Sequence, residues 1–288
     1  MAPSRRTNRA NDCRRQSRLG GRQSQPRIAT EVGGGAGLPG GAPWGYYDAM
    51  PREVMDVRQV ARYLNLPVQE VVKLAARGKM PARKVSGQFR FRKGEIDHWV
   101  ETQMPELSHE RMAEIEQGVS SHHGMDHEAP LLMPLIPAAG VVVPLPARTR
   151  EAAIRALVAA ADGADLVYEA KDLVEHIRQR EGLCPTALLP GVALPHPRHP
   201  LPNDIAASFV IVGRTAGGIP FGCPDGSLTR LLFLICCKDE RTHLHVLARI
   251  SRMLDAATVE ALMDAPDAEA VRERLGRREA DVLADAGA

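Results

Sequence analysis

Cysteine, aromatic residues and long apolar runs are all scarce in this sequence of 288 residues, of which only 4% are aromatic. The five cysteines are an odd number and lack the spacing of a metal site, which indicates a reducing cytoplasm rather than a disulfide framework. They are Cys13, Cys184, Cys223, Cys236 and Cys237. Because no apolar segment is long enough for secretion or for spanning a bilayer, we expect a cytoplasmic protein without membrane insertion. The hydrophobic fraction of 44% still suffices for packed cores, and the length allows about two domains.

Net charge is nearly absent as well, but this conceals an uneven distribution. The formal net charge is +2, yet residues 1–50 carry eight arginines against three acidic residues, and residues 51–104 carry eleven basic against six acidic residues. A basic first third joined to an acidic remainder indicates a polyanion-binding part attached to something else. Residues 1–50, rich in Arg, Gln, Ser and Gly, are expected to be a disordered basic arm. Three interpretations stay open for this arm. It adds nonspecific affinity for DNA, it is a solvated tail, or it is not translated because the true start is Met50 or Met55.

Residues 51–104 show the periodicity of a small helical unit with a hairpin. Apolar residues recur at helical spacing on both sides of Asn65-Leu66-Pro67, and polar and apolar residues alternate on both sides of Ser86-Gly87. The predicted elements are helices over 57–64 and 68–75, strands over 82–85 and 88–92, and a last helix over 94–103.

The order from Met55-Asp56-Val57 to Ile96-Asp97-His98-Trp99 resembles the excisionase-type helix-turn-helix module, which is related to the MerR winged helix. The resemblance implies that the second helix enters the major groove and that the hairpin wing lies on the DNA backbone or in the minor groove. Gln69, Lys73 and Arg77 would then face DNA. The residues expected on phosphates are Lys79, Arg83, Lys84, Arg90 and Arg92. One such module binds weakly, so a homodimer or tandem sites are expected.

Residues 105–127 are expected to be a linker that contains one helix, over 108–117. Three histidines follow within it, His122, His123 and His127. They invite a metal interpretation, but histidines in a loop without fixed partners are more typical of a linker. We therefore expect no metal there.

The stretch from Gly191 to Pro200 is built to present one imidazole. Three prolines stiffen it, and Pro197 biases His196 toward extended geometry. A neutral imidazole is a good nucleophile near pH 7 and can form covalent intermediates.

Gly191-Val192-Ala193-Leu194-Pro195-His196 resembles the phosphorylation motif of enzyme IIA of the bacterial phosphotransferase system, in its fructose, mannitol and nitrogen-regulatory class. Three further motifs agree with that family in its order: Arg180-Glu181, the turn from Pro220 to Gly226, and His243-Leu244-His245-Val246-Leu247-Ala248. The resemblance covers 128–280 and implies the α/β sandwich of enzyme IIA, a mixed sheet with flanking helices. The range contains a mixture of predicted helices and strands, including a helix capped by Thr149, a last helix over 268–275 and a central strand over 231–237 that would bury Cys236 and Cys237.

The resemblance also implies a phosphocarrier rather than a metabolic enzyme, with no metal and no cofactor. His196 would take a phosphoryl group from a histidine phosphocarrier protein of the HPr type, while Arg180 and His243 stabilise the charge on the transferred group. This chain departs from the family at Pro197, which has no amide to offer a phosphate. His199 and His245 could pair with their neighbouring histidines on zinc, but their spacing argues against it, and His245 is expected to be exposed.

Two functions remain open on the sequence. The first is a regulator whose DNA-binding module responds to phosphate on His196. The second is an ordinary phosphocarrier that passes phosphate to a sugar transporter component or another target protein.

Overall fold

The computed structural model describes residues 53–103, 107, 109–124, 129, 131–188, 191–223 and 225–286. The basic arm predicted for residues 1–50 lies outside the described residues, as does His127. Within the described part, no helix is long and apolar enough to cross a membrane.

The first unit is a helix-turn-helix followed by a hairpin and a third helix. Its elements are β1 (Val54–Met55), α1 (Val57–Tyr63), α2 (Val68–Ala76), β2 (Arg83–Val85), β3 (Gln88–Arg92) and α3 (Lys93–Gln103). Strand β3 pairs antiparallel with both β1 and β2. At the hairpin turn Ser86 and Gly87 both adopt positive φ, of 50° and 78°, as the two-residue turns matched to strand twist require. The predicted helices and hairpin of this unit are confirmed.

Helix α3 is fixed to α1 by a buried polar contact. Lys93 Nζ lies 2.7 Å from Asp97 Oδ2, and the Tyr63 hydroxyl donates to Asp97 Oδ1 over 2.7 Å. Burial raises the pKa of Asp97 against the opposing effect of Lys93. Ile96 and Val100 are fully buried on the same helix. These contacts anchor α3 on α1 over the residues that precede Glu101.

Helix α4 (His109–His123) fills most of the stretch expected to be a linker and continues well beyond the predicted end at residue 117. Met112, Ile115 and Val119 lie on one face of it and are buried in a core shared with both flanking units. The prediction ended this helix early because Gly118 and the polar residues after it weaken a helical pattern. Gly118 is required by contact, since a Cβ there would lie 2.6 Å from the Tyr63 carbonyl oxygen.

A buried ionic network joins α4 to the second unit. Glu116 accepts from Arg249 Nε over 2.5 Å and from Arg252 Nη1 over 2.8 Å, and lies 3.0 Å from His245 Nε2. Arg249 also reaches Glu279 Oε1 at 3.2 Å. All five side chains are at most 9% exposed. Charges buried this deeply are tolerated only when they are paired, so the network fixes how α4 lies on the second unit.

The second unit is a five-stranded mixed sheet with helices around it. Its strands are β4 (Val141–Leu145), β5 (Ala187–Leu188), β6 (Val192–Ala193), β7 (Phe209–Ile219) and β8 (Thr229–Cys236), in the spatial order β4-β7-β8-β6-β5. Its helices are α5 (Leu132–Leu135), α6 (Arg150–Asp162), α7 (Ala170–Leu183), α8 (Glu240–Met253), α9 (Ala256–Met263) and α10 (Ala268–Ala286). Strand β7 pairs antiparallel with β8, whereas β6 runs parallel to β8.

The α/β prediction for this unit is confirmed. Strand β8 is central and buried on both faces, as its unbroken apolar run predicts, and Cys236 and Cys237 are free, buried core residues. Thr149 caps α6 by accepting from the Ala152 amide over 3.2 Å. The helix predicted over 268–275 continues to Ala286, because α10 carries Glu279 and Val282 into the buried network.

Candidate active site and nucleic-acid interface

His196 lies in the loop that leaves β6, with its side chain only 3% exposed. The Pro195 carbonyl accepts from the Ile235 amide over 3.0 Å, which ties this loop to the central strand β8. Nδ1 of His196 lies 2.7 Å from the Leu194 carbonyl oxygen. A carbonyl can only accept, so Nδ1 carries the proton and Nε2 carries the lone pair. The nucleophilic nitrogen is therefore Nε2.

Arg180 projects from the last turn of α7 onto that nitrogen. Its Nε donates to His196 Nε2 over 3.1 Å, and its Nη1 donates to the Cys184 carbonyl over 2.8 Å. The second contact fixes the guanidinium plane beside the imidazole. A guanidinium held in this way can stabilise negative charge on a group attached at Nε2.

His243 lies in the first turn of α8, with its ring centroid 5.0 Å from that of His196. Helix α8 is capped by Asp239, whose carboxylate accepts from the Thr242 amide over 2.8 Å. The structure thus brings together the three residues that the resemblance selected: Arg180, His196 and His243. They come from three separate elements of the second unit.

Glu181 is connected to His196 through a chain of hydrogen bonds, a role that the sequence did not indicate. It is buried and accepts from the Thr186 hydroxyl and, over 3.3 Å, from the Thr186 amide. The Thr186 carbonyl in turn accepts from the Leu194 amide over 3.1 Å. Since the Leu194 carbonyl orients His196, Glu181 acts on the imidazole through two intermediate residues. Burial raises the pKa of the Glu181 carboxyl.

Glu101 is the residue that sequence reasoning missed at this site. It projects from the end of α3, in the helix-turn-helix unit, into the space between the two histidines and Arg180. Its Oε2 lies 3.6 Å from His196 Nε2 and 3.5 Å from Arg180 Nη2, and its Oε1 lies 3.4 Å from His243 Nε2. A fourth contact, to His98 Nδ1 at 3.2 Å, comes from its own helix. No sequence pattern marks Glu101, because its partners lie about 80 to 140 positions away along the chain.

The electrostatics of the site favour a neutral imidazole beside a carboxylate. Burial and the Arg180 charge lower the pKa of His196 to about 4. Burial opposes ionisation of Glu101, but its contacts with His196, His243 and His98 hold the pKa of that carboxyl well below its usual value. His196 is therefore uncharged near neutral pH, as a nucleophile must be.

The donor atoms of Glu101, His196 and His243 lie within 4.8 Å of one another, a separation that could hold a metal ion. Arg180, however, directs a donor N–H at the same nitrogen of His196. A cation there would be repelled by the guanidinium and would have to displace it. The arrangement suits an anionic group better than a metal.

The predicted DNA-facing residues of α2 all lie at the surface. Gln69, Lys73 and Arg77 are exposed, and the neighbouring Val68 and Val72 are 40% and 38% exposed. In the part of the chain that the structure describes, these two valines are among the few large hydrophobic side chains exposed to solvent. Helix α2 thus presents basic, polar and apolar groups together on an open surface.

The predicted phosphate-contacting residues divide into two groups. Lys79 and Lys84 are exposed, and Lys84 Nζ lies 5.3 Å from the centre of the Phe89 ring. The three arginines instead make contacts within the unit. Arg83 and Arg92 lie 3.4 and 3.7 Å from the Glu95 carboxylate, and Arg90 donates to Gln88 over 2.9 Å. A phosphate would have to compete with these contacts for each arginine.

The expectation for His245 was wrong. It was placed on an exposed face, but it is fully buried against Glu116 and Ser120 of α4. The helix face that points away from His196 is covered by α4, which the linker interpretation did not foresee. His199 is exposed, whereas His196 is buried.

Comparison with known proteins agrees with this architecture. Residues 135–277 match the family model described as phosphoenolpyruvate-dependent sugar phosphotransferase system, EIIA 2, and residues 54–104 match a helix-turn-helix domain. A nitrogen regulatory protein of Pseudomonas aeruginosa is 32% identical over 107 residues, which cover 36% of this chain and 68% of the relative. A fructose-specific EIIA component of Haloferax volcanii is 29% identical over 133 residues, covering 45% and 84% respectively.

Among solved structures, the nitrogen regulatory protein IIA-Ntr of Neisseria meningitidis is 25% identical with a TM-score of 0.45, and covers 50% of this chain and 97% of its own. The mannitol IIA of Escherichia coli is 24% identical with a TM-score of 0.43, and covers 48% and 97%. On the family-model matches and the relative that is 32% identical, the chain belongs to the EIIA 2 family of the phosphoenolpyruvate-dependent sugar phosphotransferase system, with a helix-turn-helix domain ahead of its EIIA domain.

Proposed function

We propose that this protein is a transcriptional regulator in which a phosphoryl group on His196 controls the helix-turn-helix domain. The observation that carries the proposal is that one chain combines an oriented, neutral histidine beside Arg180 with an exposed basic helix, α2. The similar nitrogen regulatory protein supports a regulatory role, whereas the similar fructose-specific component supports the alternative of a plain phosphocarrier.

The chemistry is a direct transfer between two imidazoles. His196 Nε2 forms a bond to phosphorus as the N–P bond of the donor phosphohistidine breaks, and the electron pair of that bond returns to the donor nitrogen. No proton has to leave His196, because Nε2 carries none. Arg180 and His243 supply donors for the equatorial oxygens, where charge accumulates in a loose transition state. The donor is a histidine phosphocarrier protein.

Pro197 removes one amide from the region of the phosphoryl group, but the two remaining donors lie on other elements. Arg180 is held by Cys184, and His243 by the capped first turn of α8. Both can serve a phosphate at Nε2 without a contribution from residue 197. The transfer chemistry is thus expected to survive the departure from the family motif.

Phosphorylation is tested by incubating the full-length protein with a general phosphotransferase enzyme, its histidine phosphocarrier protein and phosphoenolpyruvate. Intact mass is expected to rise by about 80 Da, in an acid-labile form. His196→Ala abolishes the addition, whereas His199→Ala retains it because that exposed imidazole lies outside the site. Absence of the addition in the wild-type protein would overturn the proposal.

The regulatory half is tested by DNA binding at low salt, with random-sequence duplex fragments as the probe. Changing Lys73, Arg77 and Arg90 together to alanine is expected to weaken binding at least tenfold, because each cation releases counterions from the phosphates. Matched controls remove three exposed cations of the EIIA domain: Arg155, Lys171 and Arg277. Equal loss in both triple variants, or no binding by the wild-type protein, would favour the plain phosphocarrier.

A further inference from the structure

The acceptor site of the EIIA domain is occupied by a side chain of the helix-turn-helix domain. Two groups that would hold the oxygens of a phosphoryl group, the Arg180 guanidinium and the His243 imidazole, lie 3.5 and 3.4 Å from the Glu101 carboxylate, and the acceptor nitrogen His196 Nε2 lies 3.6 Å from it. Glu101 itself is only 9% exposed. A carboxylate here offers two anionic oxygens to the donors that would otherwise serve the oxygens of a phosphate.

We propose that Glu101 is an internal ligand of the acceptor site, so that insertion of the end of α3 and phosphorylation of His196 exclude each other. This rests on the proposed function, since it assumes that His196 is the acceptor. Phosphate and the Glu101 carboxylate compete for the same donors. Whichever of the two anions occupies the site determines where the end of the helix-turn-helix domain lies.

Space alone enforces part of the exclusion. Only 3.6 Å separates His196 Nε2 from Glu101 Oε2, which leaves no room for a tetrahedral group between them. A phosphorus bonded to Nε2 would bring its oxygens onto the position that the carboxylate now holds. The incoming phosphorylated donor meets the same obstacle, because His196 is 3% exposed while Glu101 is in place.

Charge enforces the rest. A phosphoryl group carries between one and two negative charges near neutral pH, and Glu101 is ionised. Two anions in a site with little water repel each other strongly, and they would have to share one guanidinium. The phosphorylated site therefore expels Glu101.

The contacts that remain around Glu101 allow its helix end to leave. Among the described residues, the ion pair between α3 and the EIIA domain outside the acceptor site joins Lys93 to Glu240 at 3.7 Å, and the Glu240 side chain is 51% exposed. Glu101 thus makes the contacts of α3 with the buried groups Arg180, His196 and His243, whereas Lys93 reaches a half-exposed partner. Because Ile96 and Val100 of α3 close the core of the helix-turn-helix domain, a shift of this helix is transmitted directly to the module that carries α2.

The proposal is tested by the initial rate of phosphorylation of the full-length protein, with the purified phosphorylated histidine phosphocarrier protein as the donor. Glu101→Gln and Glu101→Ala are expected to accelerate phosphorylation about tenfold, within the usual range of coupling between two sites. Glu95→Gln is the matched control, since Glu95 lies on the same helix and contacts Arg83 and Arg92 instead. Its rate is expected to equal that of the wild-type protein.

The outcomes separate the two proposals. Rates in the Glu101 variants that equal the wild-type rate, or fall below it, overturn the exclusion while leaving His196 as the acceptor. Failure of all variants to accept phosphate overturns both.

Amide hydrogen exchange supplies an independent readout on the wild-type protein. Phosphorylation is expected to accelerate exchange over residues 98–103 at the end of α3, while exchange in the buried strand β8 stays unchanged. Unaltered exchange at the end of α3 in the fully phosphorylated protein would overturn the exclusion, whatever the rates.

Discussion

At the scale of single residues, the imidazole of His196 owes its reactivity to its surroundings. The Leu194 carbonyl fixes the proton on Nδ1, and burial together with Arg180 keeps the ring neutral. Glu101 and His243 also face the ring, the first raising and the second lowering its pKa. The balance of these contacts leaves an imidazole that is uncharged throughout the neutral range, as the proposed transfer requires.

The first consequence is an unusual titration. With a folded pKa of about 4 against an ordinary 6.5, His196 is expected to show no midpoint between pH 5.5 and 8 when its ring resonances are followed by NMR in the unphosphorylated protein. The unfolded chain binds a proton at this residue between about pH 6.5 and 4 that the folded chain does not, so this residue lowers stability as pH falls through that window. The spectrum of His196→Ala assigns the signals. A midpoint near 6.5 would contradict the prediction.

The residues of the proposed acceptor site were predictable from sequence to the extent that they lie in local motifs. His196, Arg180 and His243 each belong to a short motif of the family, and the fold brings the three together. Glu101 and Glu116 belong to no motif. Their roles follow from contacts between units that are distant in sequence, which neither composition nor periodicity encodes.

At the scale of elements, α8 carries both His243 toward the acceptor site and Arg249 toward the buried network. Its start is set by Asp239, which accepts from the Thr242 amide. Without this cap the Thr242 amide, in the same helical turn as His243, has no hydrogen-bond acceptor within the helix.

Asp239→Ala is therefore expected to lower the free energy of unfolding by about 1 kcal/mol. It is also expected to slow phosphorylation, because His243 lies in the turn that frays. Urea denaturation followed by circular dichroism measures the first effect. Asp239→Asn retains an acceptor oxygen and is the control, so an equal loss in both variants would show that the cap is not the cause.

Helix α4 shows a limit of predicting secondary structure from the sequence. The helix predicted over 108–117 covers its first half, but its second half carries Ser120, Ser121 and two histidines, which resemble a loop. Tertiary contacts keep it helical: Ser120 is buried and its hydroxyl lies 3.2 Å from His245 Nε2. Helix propensity was outweighed by packing partners that lie more than a hundred residues away.

At the scale of the whole molecule, the two domains share a hydrophobic core through α4. Met112 and Val119 of that helix belong to the same buried cluster as Leu64 of the first domain and Leu247 of the second. Glu116 adds the ionic part of this junction, since its contacts with His245, Arg249 and Arg252 hold the pKa of its carboxyl below the ordinary value although burial opposes this.

Glu116→Gln is expected to lower the free energy of unfolding by about 3 kcal/mol or more, because two buried guanidinium groups lose their shared anion. Glu114→Gln, on the exposed face of the same helix, is expected to change it by less than about 0.5 kcal/mol. Both values come from urea denaturation of the full-length protein. A loss at Glu116 no larger than that at Glu114 would show that the network contributes little.

The position of Glu101 has a quantitative consequence for signalling. If only chains with the end of α3 withdrawn accept phosphate, the donor concentration needed for half-maximal phosphorylation rises by the inverse of the withdrawn fraction. Substitutions along α3 that change the withdrawn fraction would then change the donor concentration at which half of the protein is phosphorylated. They would do so without replacing any residue that takes part in the transfer at His196. Under this proposal, the helix-turn-helix domain would set the sensitivity of the response and the EIIA domain would supply its chemistry.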